Sequence, residues 1–188
     1  PAYPRVCRAE SDRRRWLGAF GQVDAAQGHL TNRNVGIGDL FLFFGWFKQA
    51  EFFKGGIRFV PKAPDLHIIF GYLEVGDILN TKTCSVPKWL RDHPHATGSY
   101  QLRSNNTIYV GKKSLTWDKS KRGFGVFSFA ESLVLTKSGQ RRSRWALPGI
   151  FRNATISYHT QNSWKKEYFQ SAAKGQEFVV CGATGVED

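Results

Sequence analysis

The sequence holds five histidines, and two of them flank a proline in the segment His93-Pro94-His95. An imidazole titrates near neutral pH, so either ring could act as a general acid or base, or hydrogen-bond a nucleobase or a phosphate. The proline imposes an extended chain that turns the two rings apart, so we expect no shared metal ion. Loop histidines that hold backbone carbonyls are an equally good interpretation. His93 and His95 are therefore candidate catalytic residues without a metal.

The chain lacks the sequence patterns of several common enzyme classes. Neither H-E-x-x-H nor another zinc spacing is present, and no Ser-His-Asp set can be assembled. Neither G-x-G-x-x-G nor G-x-x-x-x-G-K-[ST] occurs, so folds that bind nucleotide cofactors have little support. The sequence therefore predicts no cofactor.

A second kind of chemistry is the reading of a nucleobase by polar side chains. Gln22 and His29 are seven residues apart, which is two turns of a helix, so both could face one pocket. A glutamine can read a base edge through two hydrogen bonds. The same two side chains could equally tie a helix to a loop.

Aromatic side chains at the ends of strands could stack on an unpaired base. Trp46 and Tyr72 hold such positions, and stacking on one base is worth roughly 1–3 kcal/mol. The segment Arg141-Arg142-Ser143-Arg144-Trp145 interleaves cations with a hydroxyl and an indole, which suits phosphate contact together with stacking. The alternatives are hydrophobic core for the aromatic rings and a mobile basic loop for the segment.

The net charge of +12 is concentrated in residues 112–144. Such a surface attracts polyanions, because lysine and arginine displace the counterions condensed on phosphates. An acidic membrane, a small phosphorylated ligand and a generic solvated surface are weaker alternatives. The only acidic residues of the segment are Asp118 and Glu131, against nine basic ones: Lys112, Lys113, Lys119, Lys121, Arg122, Lys137, Arg141, Arg142 and Arg144.

Length and composition indicate one globular domain. The chain has 188 residues, of which 41% are hydrophobic and 14% aromatic, and this excludes intrinsic disorder. Its longest apolar run, residues 40–47, is far shorter than the about 20 residues that span a bilayer, so no membrane association is expected. The three cysteines are scattered and no signal peptide is visible, which favours the cytoplasm.

The first residues carry a separate expectation. The chain begins at Pro1 and contains no methionine, so we expect a processed or incomplete form of the expressed protein. Residues 1–15 are predicted to be an N-terminal arm, itself truncated, and residues 16–188 to be a single domain.

Hydrophobic spacing predicts an α+β fold in which a small curved or closed mixed sheet is flanked by helices. Helices are predicted at Ala19–Asn32 and Ser163–Ala173 from apolar residues three and four apart. Strands are predicted at Leu40–Phe47, buried on both faces, and at Leu66–Val75. Residues Gln49–Pro64 contain Gly55-Gly56 and two prolines, which indicates a loop or a short excursion.

An ordered series of motifs runs along residues 16–180. The motifs are Phe20-Gly21-Gln22, Gly38-Asp39-Leu40-Phe41, His67-x-x-Phe70-Gly71-Tyr72, His93-Pro94-His95, Asn106-Thr107-Ile108-Tyr109-Val110, Leu133-x-Leu135-Thr136, Ser143-x-Trp145-x-Leu147-Pro148 and Gly175-Gln176-Glu177-Phe178-Val179. Together they resemble one family, the third group of nucleotide-modification-associated domains. Its members occur in phages and bacteria near predicted DNA base-modification and restriction genes, so the resemblance implies a setting more than a reaction.

The resemblance implies further properties. The family motif includes Glu177, which makes it the best carboxylate candidate for acid or base catalysis. Members carry a further N-terminal segment with Asp- and Gly-rich motifs, which Pro1–Arg15 does not supply. At the level of fold, the glycine-containing strands are similar to the PUA-like barrels, including the ASCH, EVE and YTH groups, several of which bind modified bases in an aromatic pocket.

These observations lead to one hypothesis with two alternatives. The hypothesis is a domain that binds DNA, either modified or single-stranded, with a pocket for a modified or extruded base near Trp46, His93, His95 and Trp145. The basic stretch from Lys112 to Arg144 would hold the phosphates. The alternatives are an enzyme that processes the base through histidine or glutamate acid-base chemistry, and a basic structural domain of a larger complex. The sequence leaves the oligomeric state open.

Overall fold

A computed structural model describes residues 16–172 and 177–182 of the chain. One α-helix, α1, spans Asp24–Asn32. The strands are β1 Ala19–Gln22, β2 Leu40–Lys48, β3 Ala50–Phe53, β4 Gly56–Phe59, β5 Asp65–Asn80, β6 Thr107–Gly111, β7 Phe124–Val126, β8 Arg144–Trp145, β9 Thr155–Ile156, β10 Phe169–Gln170 and β11 Val180–Cys181. Short 3₁₀ turns lie at Lys88–Leu90, Pro94–Ala96, Gly98–Leu102, Glu131–Leu133, Gly149–Asn153 and Gln161–Ser163.

The main sheet is antiparallel and strongly curled, in the manner of a half-barrel. Its strands follow the order β1-β6-β5-β2, and β7 also pairs with β5. Strand β5 is long enough to use two partners, because residues 71–73 pair with β7 and residues 75–80 pair with β6. The predicted α+β class with a small curved sheet is confirmed.

The chain divides into two compact units. Among the described residues, the first unit comprises residues 16–42 and 71–126, and the second comprises residues 43–70, 127–172 and 177–182. The predicted arm, residues 1–15, lies outside the described residues.

The first unit is built around β6, all of whose residues are buried. Leu90, Ala96, Ile108 and Val110 form its apolar cluster. A register shift lies between Val75 and Asp77, where β5 passes β6. Burying these apolar side chains supplies the main stabilisation of the unit.

The second unit has an aromatic core and a separate hairpin. Trp145, Ile156 and Phe169 are buried together, and Phe44 and Phe178 pack against them. Strand β8 pairs with β10 in this core, and β3 pairs with β4 in the hairpin.

The two predicted helices differ from the structure. Residues Ala19–Gln22 form β1 rather than the first turn of the helix, and they pair with Thr107–Val110. Ser163–Ala173 was predicted to be a helix, but Gln161–Ser163 is a 3₁₀ turn and Phe169–Gln170 is a strand. There the aromatic spacing serves core packing, since the Trp164 and Phe169 rings lie 4.8 Å apart edge to face.

Strand β2 was correctly predicted in position but not in burial. Leu40, Leu42, Trp46 and Phe47 are all exposed, so the strand is not buried on both faces. The segment Gln49–Pro64, predicted to be a loop or short excursion, contains the β3–β4 hairpin.

None of the helices within the described ranges is long and apolar enough to cross a bilayer.

Candidate functional site

The two histidines of the His93-Pro94-His95 segment are held inside the first unit. The Nδ1 atom of His93 accepts a hydrogen bond of 3.1 Å from the backbone N–H of His95. The Nδ1 atom of His95 is hydrogen-bonded to Oδ1 of Asn106 at 2.6 Å, and its ring stacks on Tyr100 with centroids 4.4 Å apart. Asn106 also donates to Thr81 Oγ1 and to the His95 carbonyl, each at 2.7 Å. The two rings and Asn106 therefore form a hydrogen-bonded joint within the unit.

This joint packs directly on β1. A Cβ atom added at Gly21 would lie 2.3 Å from Cγ of His95 and 2.9 Å from Cε1 of His93. Burial, together with the nearby His95 ring, lowers the pKa of His93 to about 4, although a backbone hydrogen bond at Ala19 acts in the opposite direction. His93 is therefore neutral at physiological pH. A catalytic role for the pair stays a prediction.

Lys112, which was predicted to bind phosphate, forms an ion pair with Glu74 within the first unit. Its ammonium lies 2.6 Å from Oε1 of Glu74, whose side chain is 1% exposed. Thr116 also donates to Glu74, through its hydroxyl and through its backbone N–H at 2.7 Å. Burial raises the pKa of Glu74, but the hydrogen bonds from Lys112 and Thr116 and the lysine charge outweigh it and hold the pKa at about 2. The predicted phosphate ligand thus neutralises a buried carboxylate.

Other predicted nucleic-acid ligands of the first unit are more accessible. Lys113, Lys121 and Arg122 are exposed. Lys121 forms an ion pair of 3.3 Å with Asp118. The Tyr72 hydroxyl donates a 3.1 Å hydrogen bond to the Arg122 carbonyl. This bond connects the tyrosine ring to the basic segment between β6 and β7.

Gln22 and His29 do not share a helix. Gln22 ends β1, opposite Thr107, whereas His29 lies in α1, and both are half-buried. The prediction that two helical turns separate them is therefore wrong. The buried glutamine of this region is Gln27, whose Nε2 donates 3.0 Å to the Tyr109 hydroxyl.

The second unit brings four of the predicted site residues together. A cavity of about 330 Å³ is lined by Pro64, Asp65, Gln140, Arg141, Arg142 and Ser143. Lys137–Gln140 and Arg141–Arg144 each close a tight backbone turn, so Arg141, Arg142 and Ser143 sit on the connection that leads into β8. Arg141 is exposed, and Arg142 and Ser143 are half-buried.

Trp46, the fourth predicted residue, contacts two of the residues that line this cavity, Asp65 and Arg142. Its Nε1 donates a hydrogen bond of 2.9 Å to Oδ1 of Asp65. The guanidinium carbon of Arg142 lies 4.0 Å from the centre of the indole ring, within the range of a cation–π contact. Although it makes both contacts, Trp46 is 65% exposed. An oriented indole therefore faces solvent beside the cavity.

Ser143 and Arg144 are fixed by neighbouring side chains. The Ser143 hydroxyl accepts a 3.1 Å hydrogen bond from Nε2 of Gln170. Arg144 donates 2.8 Å to Oε1 of Gln140, and its guanidinium lies 4.7 Å from the Tyr168 ring. Arg144 thus supports the cavity lining through Gln140.

Trp145 is a core residue. It is 5% exposed, and its Nε1 donates a 3.0 Å hydrogen bond to Nδ1 of His67. Burial, followed by the positive charge of Arg142, lowers the pKa of His67 to about 4, so the ring is neutral and can accept this bond. A base could stack on Trp145 only if this core opened, so we do not include it in the candidate site.

Sequence reasoning missed Asp65 and Gln140. Asp65 directly precedes the predicted strand Leu66–Val75 and follows Pro64 at the start of β5, and Gln140 directly precedes the cationic run Arg141–Arg144. Glu177, the proposed acid or base, is exposed just before β11 in the second unit. Within the ranges that the structure describes, no group of three or more His, Cys, Asp or Glu side chains could hold a metal ion.

The chain was compared with protein families, curated proteins and solved structures. Neither the curated proteins nor the solved structures gave a significant match. The model of one family, described as nucleotide modification associated domain 3, matches residues 4–181, which confirms the resemblance that the motifs indicated. The chain therefore belongs to the nucleotide modification associated domain 3 family, and its role is linked to nucleotide modification.

Proposed function

We propose that the second unit binds nucleic acid and that its cavity receives a DNA base, either modified or extruded from the stack. The observation that carries this proposal is the grouping of an exposed indole, a carboxylate and two guanidinium groups at one cavity. Its volume, about 330 Å³, falls within the range of roughly 300–1,000 Å³ that is usual for ligand pockets.

The exposed Trp46 ring provides the stacking surface. Asp65 fixes its orientation through the indole N–H, and Arg142 covers part of the ring. A ring held in this way loses little freedom when a base stacks on it, which favours binding. Stacking is tolerant of sequence because every base has a π face.

The polar residues of the cavity can then distinguish bases. A carboxylate can accept a hydrogen bond from an exocyclic amino group, and a guanidinium can donate two hydrogen bonds to a guanine edge or to a phosphate. Asp65 and Arg142 supply one group of each kind, and the exposed Arg141 adds a further cation. The net charge of +12 supports the attraction of a polyanion in general.

A base within a duplex offers no accessible face, so a pocket of this kind requires a single strand or an extruded base. The family connects the chain to nucleotide modification. We therefore propose recognition of a modified base in DNA modification, restriction or a phage–host conflict.

The test compares two tryptophans of nearly equal exposure. Trp46 is 65% exposed at the cavity, and Trp117 is 64% exposed in the first unit. We expect Trp46→Ala to weaken binding of single-stranded oligonucleotides by about 5- to 100-fold, the loss of one stacked base, with Trp117→Ala within about twofold of the parent. Fluorescence anisotropy with labelled oligonucleotides, plain and base-modified, measures both.

The salt dependence of the same titration checks the phosphate contacts. Binding that neutralises phosphates weakens linearly on a logarithmic scale as salt rises. A slope near zero, or equal affinities of the two tryptophan variants, would reject the proposal.

A further inference from the structure

The β3–β4 hairpin of the second unit is well formed although it contributes little to the core. Phe53 pairs with Gly56, so only Lys54 and Gly55 form the turn. Both have positive φ, 48° and 80°, which is the type I′ geometry whose twist suits a two-residue hairpin. The turn therefore defines the register of the two strands.

The two faces of the hairpin differ sharply. On one face Glu51 and Arg58 form an ion pair of 2.8 Å, and the Arg58 guanidinium lies 3.4 Å from the centre of the Phe53 ring. The other face is apolar and open to solvent, because Phe52, its partner Ile57, and Phe59 are 86%, 72% and 66% exposed. A continuous apolar surface of this kind marks a contact site.

The hairpin is attached to the chain beside the candidate base site. Strand β2 ends at Lys48, two residues after Trp46, and β5 begins at Asp65 after the hairpin. The side chains of Trp46 and Asp65 are hydrogen-bonded to each other. Pro64 and Asp65 line the cavity. The apolar face is thus carried by a hairpin segment whose two ends meet at the cavity.

The positive charge of residues 48–62, which include the hairpin, indicates an anionic partner. Residues 48–62 carry four cations and one carboxylate: Lys48, Lys54, Arg58 and Lys62, with Glu51. Glu51 is paired with Arg58, so the excess charge comes from the three lysines. Apolar side chains flanked by lysines suit a polyanion with an apolar interior, which describes the base stack of a DNA duplex.

We propose that the β3–β4 hairpin is a wedge that enters the base stack of duplex DNA while the neighbouring cavity takes the displaced base. Phe52, Ile57 and Phe59 fill the space that the base leaves, and this contact offsets part of the unstacking energy. The inference rests on the proposed function, because it assigns the opening step to the same binding site.

The experiment uses a duplex that carries 2-aminopurine, whose fluorescence rises when it leaves the stack, and the matching single strand. The test variant is Phe52→Ser combined with Phe59→Ser. The control is Phe129→Ser, since Phe129 belongs to the same unit, lies outside the hairpin and is 65% exposed, against 66% for Phe59.

We expect the parent protein and the control to raise the fluorescence of the duplex. The hairpin variant should lose this signal and bind the duplex about tenfold more weakly or worse, the loss of one or two stacking contacts, while binding the single strand within about twofold. Unchanged single-strand binding also shows that the variant is folded.

Other outcomes overturn the inference in distinguishable ways. If the hairpin variant opens the duplex as well as the parent does, the wedge is rejected and the proposed function stands. If the parent binds single strands but does not open the duplex, the wedge is likewise rejected and the proposed function likewise stands. If the parent binds neither form of DNA, the proposed function fails and the wedge fails with it. If the substitutions alter only self-association, or only binding to anionic vesicles, the apolar face serves a second copy or a lipid surface instead.

Discussion

The two compact units hold similar side chains in different environments. In the first unit the His95 ring is bonded to Asn106 and stacked on Tyr100, and the Lys112 ammonium lies on a buried carboxylate. In the second unit Trp46 and Arg141 face solvent beside a cavity. The difference teaches that a residue type capable of chemistry is available to a ligand only where the fold leaves its ring or charged group exposed to solvent.

The largest expected effect is a difference in stability between substitutions of two tryptophans of the second unit. Trp145→Ala should destabilise the protein by about 3–5 kcal/mol, because it leaves a cavity in the core and removes the hydrogen bond to His67. Trp46→Ala should reduce the free energy of unfolding by about 1 kcal/mol or less, because its ring is mostly exposed. Urea unfolding followed by circular dichroism measures both values. Equal losses would show that Trp46 is also a core residue.

The next effect concerns the histidine joint of the first unit. Gly21→Ala places a Cβ 2.3 Å from the His95 ring, so we expect a loss of about 1–3 kcal/mol. Gly28→Ala is the matched control, since nothing lies within 4 Å of its Cβ in α1 and alanine should stabilise the helix by up to about 1 kcal/mol.

Thermal unfolding of these two glycine variants compares them directly. A harmless Gly21→Ala would mean that the His93 and His95 rings move easily, and it would strengthen the prediction that they take part in chemistry.

The sequence predicted the features that depend on local pattern and on the family. The curved sheet and the position of β2 came from pattern and composition and are confirmed, whereas the binding role predicted for Trp46, Arg141, Arg142 and Ser143 stays a prediction. The hairpin was missed because Gly55-Gly56 and two prolines resemble a loop, although Lys54-Gly55 between two apolar runs was a usable signal.

Burial could not be predicted in the same way. Strand β2 is apolar throughout, and such a run does not reveal whether a neighbouring element covers either face. Trp145 follows a run of cations in sequence, yet the aromatic core of the second unit buries it. Both outcomes depend on tertiary contacts between residues distant in the chain.

Acid should destabilise both units. His67 and His93 have pKa values lowered from 6.5 to about 4, so the unfolded chain binds more protons than the folded one between these values. Stability is therefore complete above pH 6.5 and decreases by about 1–3 kcal/mol for each histidine as the pH falls towards 4. Glu74, whose pKa is about 2, adds a further loss below pH 4.5.

Urea unfolding at pH 7 and at pH 4.5 tests this dependence. His93→Gln removes the contribution of His93 and should flatten the pH profile without abolishing it. If the stability of the parent is the same at both pH values, the histidines are not held neutral in the fold.

The smallest effect compares two exposed cations, one in each unit. Arg141→Ala should reduce the salt slope of oligonucleotide binding by about 1, the loss of one phosphate contact, whereas Lys113→Ala should leave it unchanged. Titrations at several salt concentrations measure the slope. A reduced slope for Lys113→Ala would mean that the first unit shares the nucleic-acid surface, as the sequence predicts for its lysines.

The central claim is that nucleic acid contacts the second unit at Trp46. Each of the six tryptophans carries one indole N–H, and single substitutions assign its signal in a nitrogen-15 NMR spectrum. On addition of a single-stranded oligonucleotide, we expect the Trp46 signal to move and the signal of Trp145, bonded to His67 in the core, to stay in place. A stationary Trp46 signal, with Trp89 or Trp117 of the first unit moving instead, would contradict the account.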